Sequence, residues 1–255
     1  MFLISASMER SGSRWYYNLT NDLVIAAGYP DAREVREKYG LHSILTTDNC
    51  NLPRQEARKL RRLDRVSRET DLFTVKTHRR PSRAMRRRLA DGRVKGAYIC
   101  RDLRDVIVSG LEEGVAKRAG GNLRRILMVG PYRGFARLRT VEGGILWARL
   151  QLIPRWKAWM NCQSVLVTRY EDLLADTSGQ LRRLADHFEL DVSDEQIEGV
   201  VDNYRKEKAT RSGAEKPAYL NKGVIGRFRE VMSAEEQALC RKRLRRYLDK
   251  MGYVD

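Results

Sequence analysis

Arg10-Ser11-Gly12-Ser13-Arg14 sets a glycine between two hydroxyls and flanks all three with guanidinium groups. The apolar run Phe2-Leu3-Ile4 precedes it, and an amphipathic stretch opens at Trp15. That order reads as strand, tight loop and helix, whose loop amides and first helical turn form a cradle for an anion, most often a phosphate. The same residues also make an ordinary exposed turn, so the reading depends on what gathers beside them. No glycine stands four places before Gly12, and Ser13 rather than Lys follows it. The metal-holding phosphate loop of nucleotide kinases is therefore absent.

Further along, the β-prone run Leu72-Phe73-Thr74-Val75 delivers Lys76-Thr77-His78. In an open parallel sheet ligands sit at the carboxyl ends of strands, so a Lys and a His just past such an end are candidates for chemistry. His42 falls in a polar loop and His187 on a helix, and neither has that placement. A third strand, Lys95 to Cys100, runs into Arg101-Asp102-Leu103-Arg104-Asp105, with Ser109 eight residues beyond Arg101. This is either a second anion site or a strand-to-helix turn closed by internal ion pairs. A fourth strand, Ser164 to Thr168, leads to Arg169-Tyr170-Glu171-Asp172, and a basic glycine turn, Asn221-Lys222-Gly223-Val224-Ile225-Gly226, lies near the end.

The elements that must position these groups follow from periodicity. Helices are expected over Trp15–Ala27, Asp31–Tyr39, Pro53–Ser67, Arg83–Arg93, Ile145–Trp159, Thr177–Phe188, Ser193–Tyr204 and Ser233–Met251. The arginines of Pro53–Ser67 read as a solvated helix face. Glu112 to Gly144 mixes glycines with arginines and is expected to be a mobile insertion, a lid or acceptor wall. Lys206 to Pro217 reads as a flexible loop.

The 255 residues, 42% of them hydrophobic, can bury one sizeable core, and a single domain is expected. Fifty Lys and Arg against 33 Asp and Glu leave +17, which favours anionic ligands: a nucleotide, an acidic substrate, nucleic acid or a membrane face. Cys50, Cys100, Cys162 and Cys240 follow neither a zinc nor a redox spacing, so free thiols in a reducing, cytoplasmic setting are expected. The apolar runs are too short for a membrane span, and no basic leader precedes the first strand.

Taken together, these motifs resemble the sulfotransferases that use 3′-phosphoadenosine 5′-phosphosulfate. Arg10-Ser11-Gly12-Ser13-Arg14-Trp15 is similar to the family's loop for the 5′-phosphosulfate, and Lys76-Thr77-His78 to the Lys-Thr-His whose His is the catalytic base. Arg101 with Ser109 resembles the 3′-phosphate motif, Tyr170 a tyrosine near the adenine, and Lys222-Gly223 with Gly226 the C-terminal loop that closes over the 3′-phosphate. The sequence departs from the pattern at Arg10, where the family has Lys, at Arg14, which matches the carbohydrate branch, and at Asn221, where the family has Arg. The family's short dimer motif is not evident between Phe228 and Glu236.

The resemblance implies an α/β, P-loop-like fold over residues 1–255: a mainly parallel sheet of four or five strands with helices on both faces. It implies sulfuryl transfer to a hydroxyl or, second, an amine, with His78 as base, Lys76 and Arg10 meeting the leaving phosphate, and no metal. The remaining loop residues, with Arg101, Ser109, Tyr170, Lys222 and Gly223, would hold the donor. A small-molecule or carbohydrate acceptor is expected, the surface charge leaning towards an acidic one, with no nucleic acid partner and the oligomeric state open. The alternatives are a nucleotide kinase without the usual loop and a non-enzymatic binder of anions or nucleic acid. A Mg²⁺ requirement marks the first, and steeply salt-dependent nucleic-acid affinity without turnover marks the second.

Overall fold

The computed structural model describes residues 1–119, 138–210 and 223–253. They cluster into two compact units, Met1–Cys100 with Arg155–Gly223, and Arg101–Pro154 with Val224–Asp255. Four strands are described: β1 (Phe2–Ser7), β2 (Thr74–Thr77), β3 (Val94–Cys100) and β4 (Val165–Arg169). The helices, in chain order, begin with α1 (Ser13–Ala26), α2 (Ala32–Lys38), α3 (Ala57–Glu69), α4 (Arg83–Ala90), α5 (Leu103–Ala119) and α6 (Val141–Trp147). They continue with α7 (Ile153–Met160), α8 (Tyr170–Ala175), α9 (Thr177–Phe188), α10 (Asp194–Thr210), α11 (Phe228–Val231) and α12 (Ala234–Lys250).

In the first unit the strands form one sheet, ordered β2-β1-β3-β4 and parallel at every pairing. β1 is buried along its whole length. A parallel strand in that position must be covered on both faces, which is why FLISAS reads as a nearly continuous buried run. On one face Leu3, Ala97 and Ile99 pack with Leu19 and Leu23 of α1, Leu184 and Phe188 of α9, and Ile197 of α10. Each such side chain contributes about 1.5–3 kcal/mol by leaving water. On the other face Leu89 of α4 lies over Gly96 of β3, next to Ile4. The expected parallel sheet with helices on both faces is therefore present, with its carboxyl edge at Ser7, Thr77, Cys100 and Arg169.

The second unit is helical among its described residues, with α5 packed against α6, α11 and α12. A Cβ on Gly144 would stand 2.5 Å from Ile107, so only glycine lets α6 approach α5 this closely. α12 starts with a capping box, in which Ser233 and Glu236 satisfy each other's backbone amides.

Several expectations are corrected. β2 extends through Thr77, so Lys76 lies inside the strand and only His78 is just past its end. α5 runs on to Ala119, and Gly110 and Gly114, four apart, are both buried. A helix tolerates such glycines at roughly 1 kcal/mol each, so the expected insertion is helical at its start and again from Val141. Residues 120–137, the rest of that segment, lie outside the described residues. The expected helix from Ile145 is interrupted by a π-helical turn, Ala148–Leu152, where Ile153 N donates to Ala148 O. Pro154 follows at once, and the wider turn accommodates the donor and the space that proline removes from a helix. α10 continues to Thr210 where a loop from Lys206 is expected; residues 211–217 of that loop lie outside the described residues. The four cysteines are free thiols, as expected.

Candidate active site

The loop after β1 is fixed from below. Met8 N donates to Ile99 O at 2.9 Å, which holds the loop to the end of β3. Ser11 is buried and its hydroxyl donates to Met8 O at 2.7 Å, so it shapes the loop and leaves outward contacts to backbone amides and to Ser13. Arg10 and Gly12 both take left-handed backbone, at φ 67° and 73°. At Gly12 a side chain has no room, because a Cβ there would stand 2.6 Å from the Tyr170 ring. Tyr170 also meets Trp15 edge-on, with centroids 6.2 Å apart. Thus the residue that opens α8 at the end of β4 roofs the loop at the end of β1.

Gly12 is the N-cap of α1, and no side chain caps the helix and no acidic residue stands in its first turn. An anion arriving there meets the positive end of the helix dipole and amides that no side chain occupies. Trp15 Nε1 is buried beside it without a hydrogen-bond partner among the described residues.

Lys76 pairs with Ser5 across the sheet and is only 4% exposed. Among the described residues its ammonium has neither a carboxylate nor a hydrogen-bond partner. Burial lowers its pKa to about 7, and the Arg14 guanidinium pushes the same way. A cation without an anion in a low-dielectric setting is costly, and an arriving phosphate or sulfate removes that cost.

His78 joins the ends of β1 and β2. Its Nδ1 lies 3.3 Å from Ser7 O and 3.0 Å from Ser7 Oγ. A carbonyl can only accept, so the proton belongs on Nδ1, and Nε2 carries the lone pair. Burial, and next the Lys76 charge, hold the imidazole well below its ordinary pKa. The ring keeps part of its surface in solvent, and it is neutral at physiological pH. By contrast, His187 Nε2 is 2.8 Å from Gly96 O, a structural contact, and His42 is exposed beside Glu37.

Within the second unit Arg101 and Ser109 are both buried. Arg101 Nη2 donates to Asp105 Oδ2 at 3.1 Å and to Val224 O at 2.7 Å. Asp105 in turn accepts from Gly226 N at 2.8 Å and Phe228 N at 3.1 Å. Arg104 pairs with Asp102 and lies over the Phe228 ring, 4.1 Å from its centroid. The internal ion pairs weighed from the sequence are thus present, and the Asp105 carboxylate holds the glycine turn in place. Gly223 has left-handed backbone at φ 61°; Lys222 lies outside the described residues.

The first unit therefore brings together Arg10, Ser11, Gly12, Ser13, Arg14, Trp15, Lys76, His78 and Tyr170, and the second contains Arg101 and Ser109. Sequence reasoning missed Ser7, whose pairing with His78 depends on strand register. It also missed the Glu9–Arg155 ion pair of 2.9 Å beside the loop, and Trp159, whose Nε1 donates to Arg79 O at 2.9 Å. Partners so far apart in the chain give no sequence signal for either.

A family model described as a sulfotransferase domain matches residues 2–252. No curated protein matches the sequence. Among solved structures, retinol dehydratase in complex with androsterone and the inactive cofactor PAP is 22% identical, with 97% of this chain and 80% of that one covered at a TM-score of 0.55. A retinol dehydratase complex with retinol and PAP is also 22% identical, covering 97% and 81% at 0.54. Mouse sulfotransferase SULT7A1 complexed with PAP is 16% identical, covering 97% and 83% at 0.58. At these identities the likeness establishes the fold.

Proposed function

The chain belongs to the sulfotransferase family, and from that premise we propose that it moves a sulfuryl group from 3′-phosphoadenosine 5′-phosphosulfate to an acceptor hydroxyl at the carboxyl edge of β1 and β2. The observation that carries this reading is Lys76, a buried ammonium without an anionic partner among the described residues, next to a helix N-terminus that no side chain caps. The neighbours' PAP complexes support the same donor.

When bound, the donor supplies the sulfuryl group and a phosphate leaving group. Arg10, the amides from Gly12 to Trp15 and the Ser13 hydroxyl hold the 5′-phosphosulfate. Lys76 meets the charge that grows on the bridging oxygen as the phosphate departs. His78 Nε2 takes the proton from the acceptor hydroxyl, because Ser7 O fixes the Nδ1–H tautomer. A neutral imidazole is the form this step needs, and the depression of its pKa keeps it available. Tyr170 and Trp15 shape the loop against the base. Arg101, Ser109, Lys222 and Gly223 hold the 3′-phosphate. Fixed cations and amides suffice for the electrostatics of moving a singly charged group.

The test is transfer of radiolabelled sulfate from the donor to a panel of phenol, steroid and carbohydrate acceptors, run with and without a chelator. Labelled product that forms equally in chelator supports the reading. Donor turnover only with Mg²⁺ contradicts it.

A further inference from the structure

α3 and α4 lie side by side in the first unit, joined by the buried Arg88–Asp64 pair at 2.6 Å. On α3, Arg58, Arg61, Arg65 and Arg68 are exposed on the side opposite the buried Leu60, Leu63 and Val66. On α4, Arg83, Arg86 and Arg87 are exposed opposite the buried Met85 and Leu89. None of these arginines has an ion-pair partner among the described residues. Three of the nearby carboxylates are already held: Glu56 by Lys59, Asp64 by Arg88 and Asp91 by Arg93. A helix whose charge only keeps it soluble interleaves both signs on its outer face. Here the one aspartate of α3 turns inward to α4, and the outer stripe sets Arg58, Arg61, Arg65 and Arg68 against a single carboxylate, Glu69 at its C-terminal end.

Helical spacing puts Arg61, Arg65 and Arg68 on the flank of α3 nearest Asp64, and Arg83 and Arg87 on the flank of α4 nearest Arg88. Two cationic rows therefore run beside the same bridge, about 10 Å long on α3 and about 6 Å on α4. The row on α4 starts from the reacting edge, because only Arg79 to Ser82 separate its first residue from His78. We propose that this face binds the acceptor, and that the acceptor is an acidic oligosaccharide: a chain with regular carboxylate or sulfate groups and a free hydroxyl that reaches His78. The proposal rests on the sulfuryl-transfer reading above and names its substrate class. The acceptor O–H bond breaks as the O–S bond forms, the proton passes to His78, and the phosphate leaves with the S–O electron pair.

Other polyanions fit the face less well. A membrane-binding helix needs large apolar side chains beside its basic ones, and α3 and α4 expose none. Single-stranded nucleic acid is held on aromatic platforms, and neither helix contains an aromatic residue.

The experiment uses the full chain, the variants Arg61→Gln/Arg65→Gln/Arg68→Gln and Arg83→Gln/Arg87→Gln, and two acceptors of equal length: a partly desulfated heparin oligosaccharide and a neutral cello-oligosaccharide. The proposal expects turnover of the acidic acceptor with kcat/KM at least about tenfold above the neutral one, falling with added salt. Each variant set should raise KM for it about tenfold with kcat and PAP affinity unchanged. An unchanged KM in both variants, or no turnover of the acidic chain by an enzyme that binds PAP, overturns the proposal. So does inhibition by duplex DNA or by phosphatidylserine vesicles at lower concentration than the oligosaccharide itself requires. Failure of the wild-type chain to bind PAP in calorimetry instead rejects the sulfuryl-transfer reading underneath.

Discussion

The edge formed by β1 and β2 and the turn around Arg101 both look like anion sites in the sequence, yet they are built on opposite principles. At the first, Lys76 is buried without a partner among the described residues and α1 opens without a side-chain cap. At the second, Arg101 is already paired with Asp105, whose carboxylate also holds the Gly226 and Phe228 amides. The first site carries a buried charge that no described group compensates, which costs stability. The second uses its charge to fold the chain, and an arginine with five donors can still offer some of them to a phosphate. Identical residue types therefore mark a functional surplus in one place and a structural closure in the other.

Substitutions separate the two most sharply through turnover. Replacing His78 with Ala should lower kcat by about 10² to 10⁴ and leave PAP affinity nearly unchanged, whereas Lys76→Ala should lower kcat by a similar factor and also weaken PAP binding. Steady-state kinetics with calorimetry on the same samples checks this. A His78→Ala enzyme that works at the parental rate on a proven acceptor moves the base to a carboxylate.

Breaking the second site should act on folding. Asp105→Ala removes the carboxylate that Arg101 and two backbone amides share, in a place where the Asp105 side chain is 0% exposed. Stability should fall by about 3–5 kcal/mol. Urea unfolding measures it; a midpoint shift no larger than that of an ordinary surface substitution contradicts the contrast.

The pH dependence of stability isolates the first site. Between about pH 7 and pH 10.5 the unfolded chain keeps the Lys76 proton that the folded chain has lost. Stability from this group is complete above the unfolded pKa and is lost as pH falls through the folded one. The difference between Lys76→Met and the parent should therefore favour the variant most near neutral pH, by on the order of 3 kcal/mol, and shrink as pH rises. A difference that stays flat across the window shows that Lys76 is charged and compensated in the folded chain.

The smallest effect belongs to the loop. Gly12→Ala combines left-handed backbone with a collision against Tyr170 and should cost about 1–3 kcal/mol. Tyr170→Ala should relieve part of it, and a double-mutant cycle without coupling removes the roof from the account.

Much of this was legible in the sequence because it depends on local pattern. Phe2 to Trp15 shows its strand, loop and helix directly, and the Thr177–Phe188 helix shows its period of apolar residues. What escaped depends on register and on distant partners. Lys76 looks as if it lies beyond a strand because Leu72 and Phe73 are the apolar residues, whereas pairing with β1 carries the ladder on to Thr77. Ser7 meets His78 only through that register. Gly114 looks like a break, although it is buried inside a continuous helix. The arginines of α3 read as solvated and are exposed, whereas the inward turn of Asp64 to Arg88 is a tertiary event that the sequence does not show.

The central proposal is that this chain takes a 3′-phosphorylated nucleotide as its donor, and calorimetry of PAP against 5′-AMP tests it most directly. Loss of the 3′-phosphate should weaken binding by roughly 2 to 4 kcal/mol, the worth of a doubly charged group with charge-assisted hydrogen bonds. Equal affinities for the two nucleotides would contradict the account.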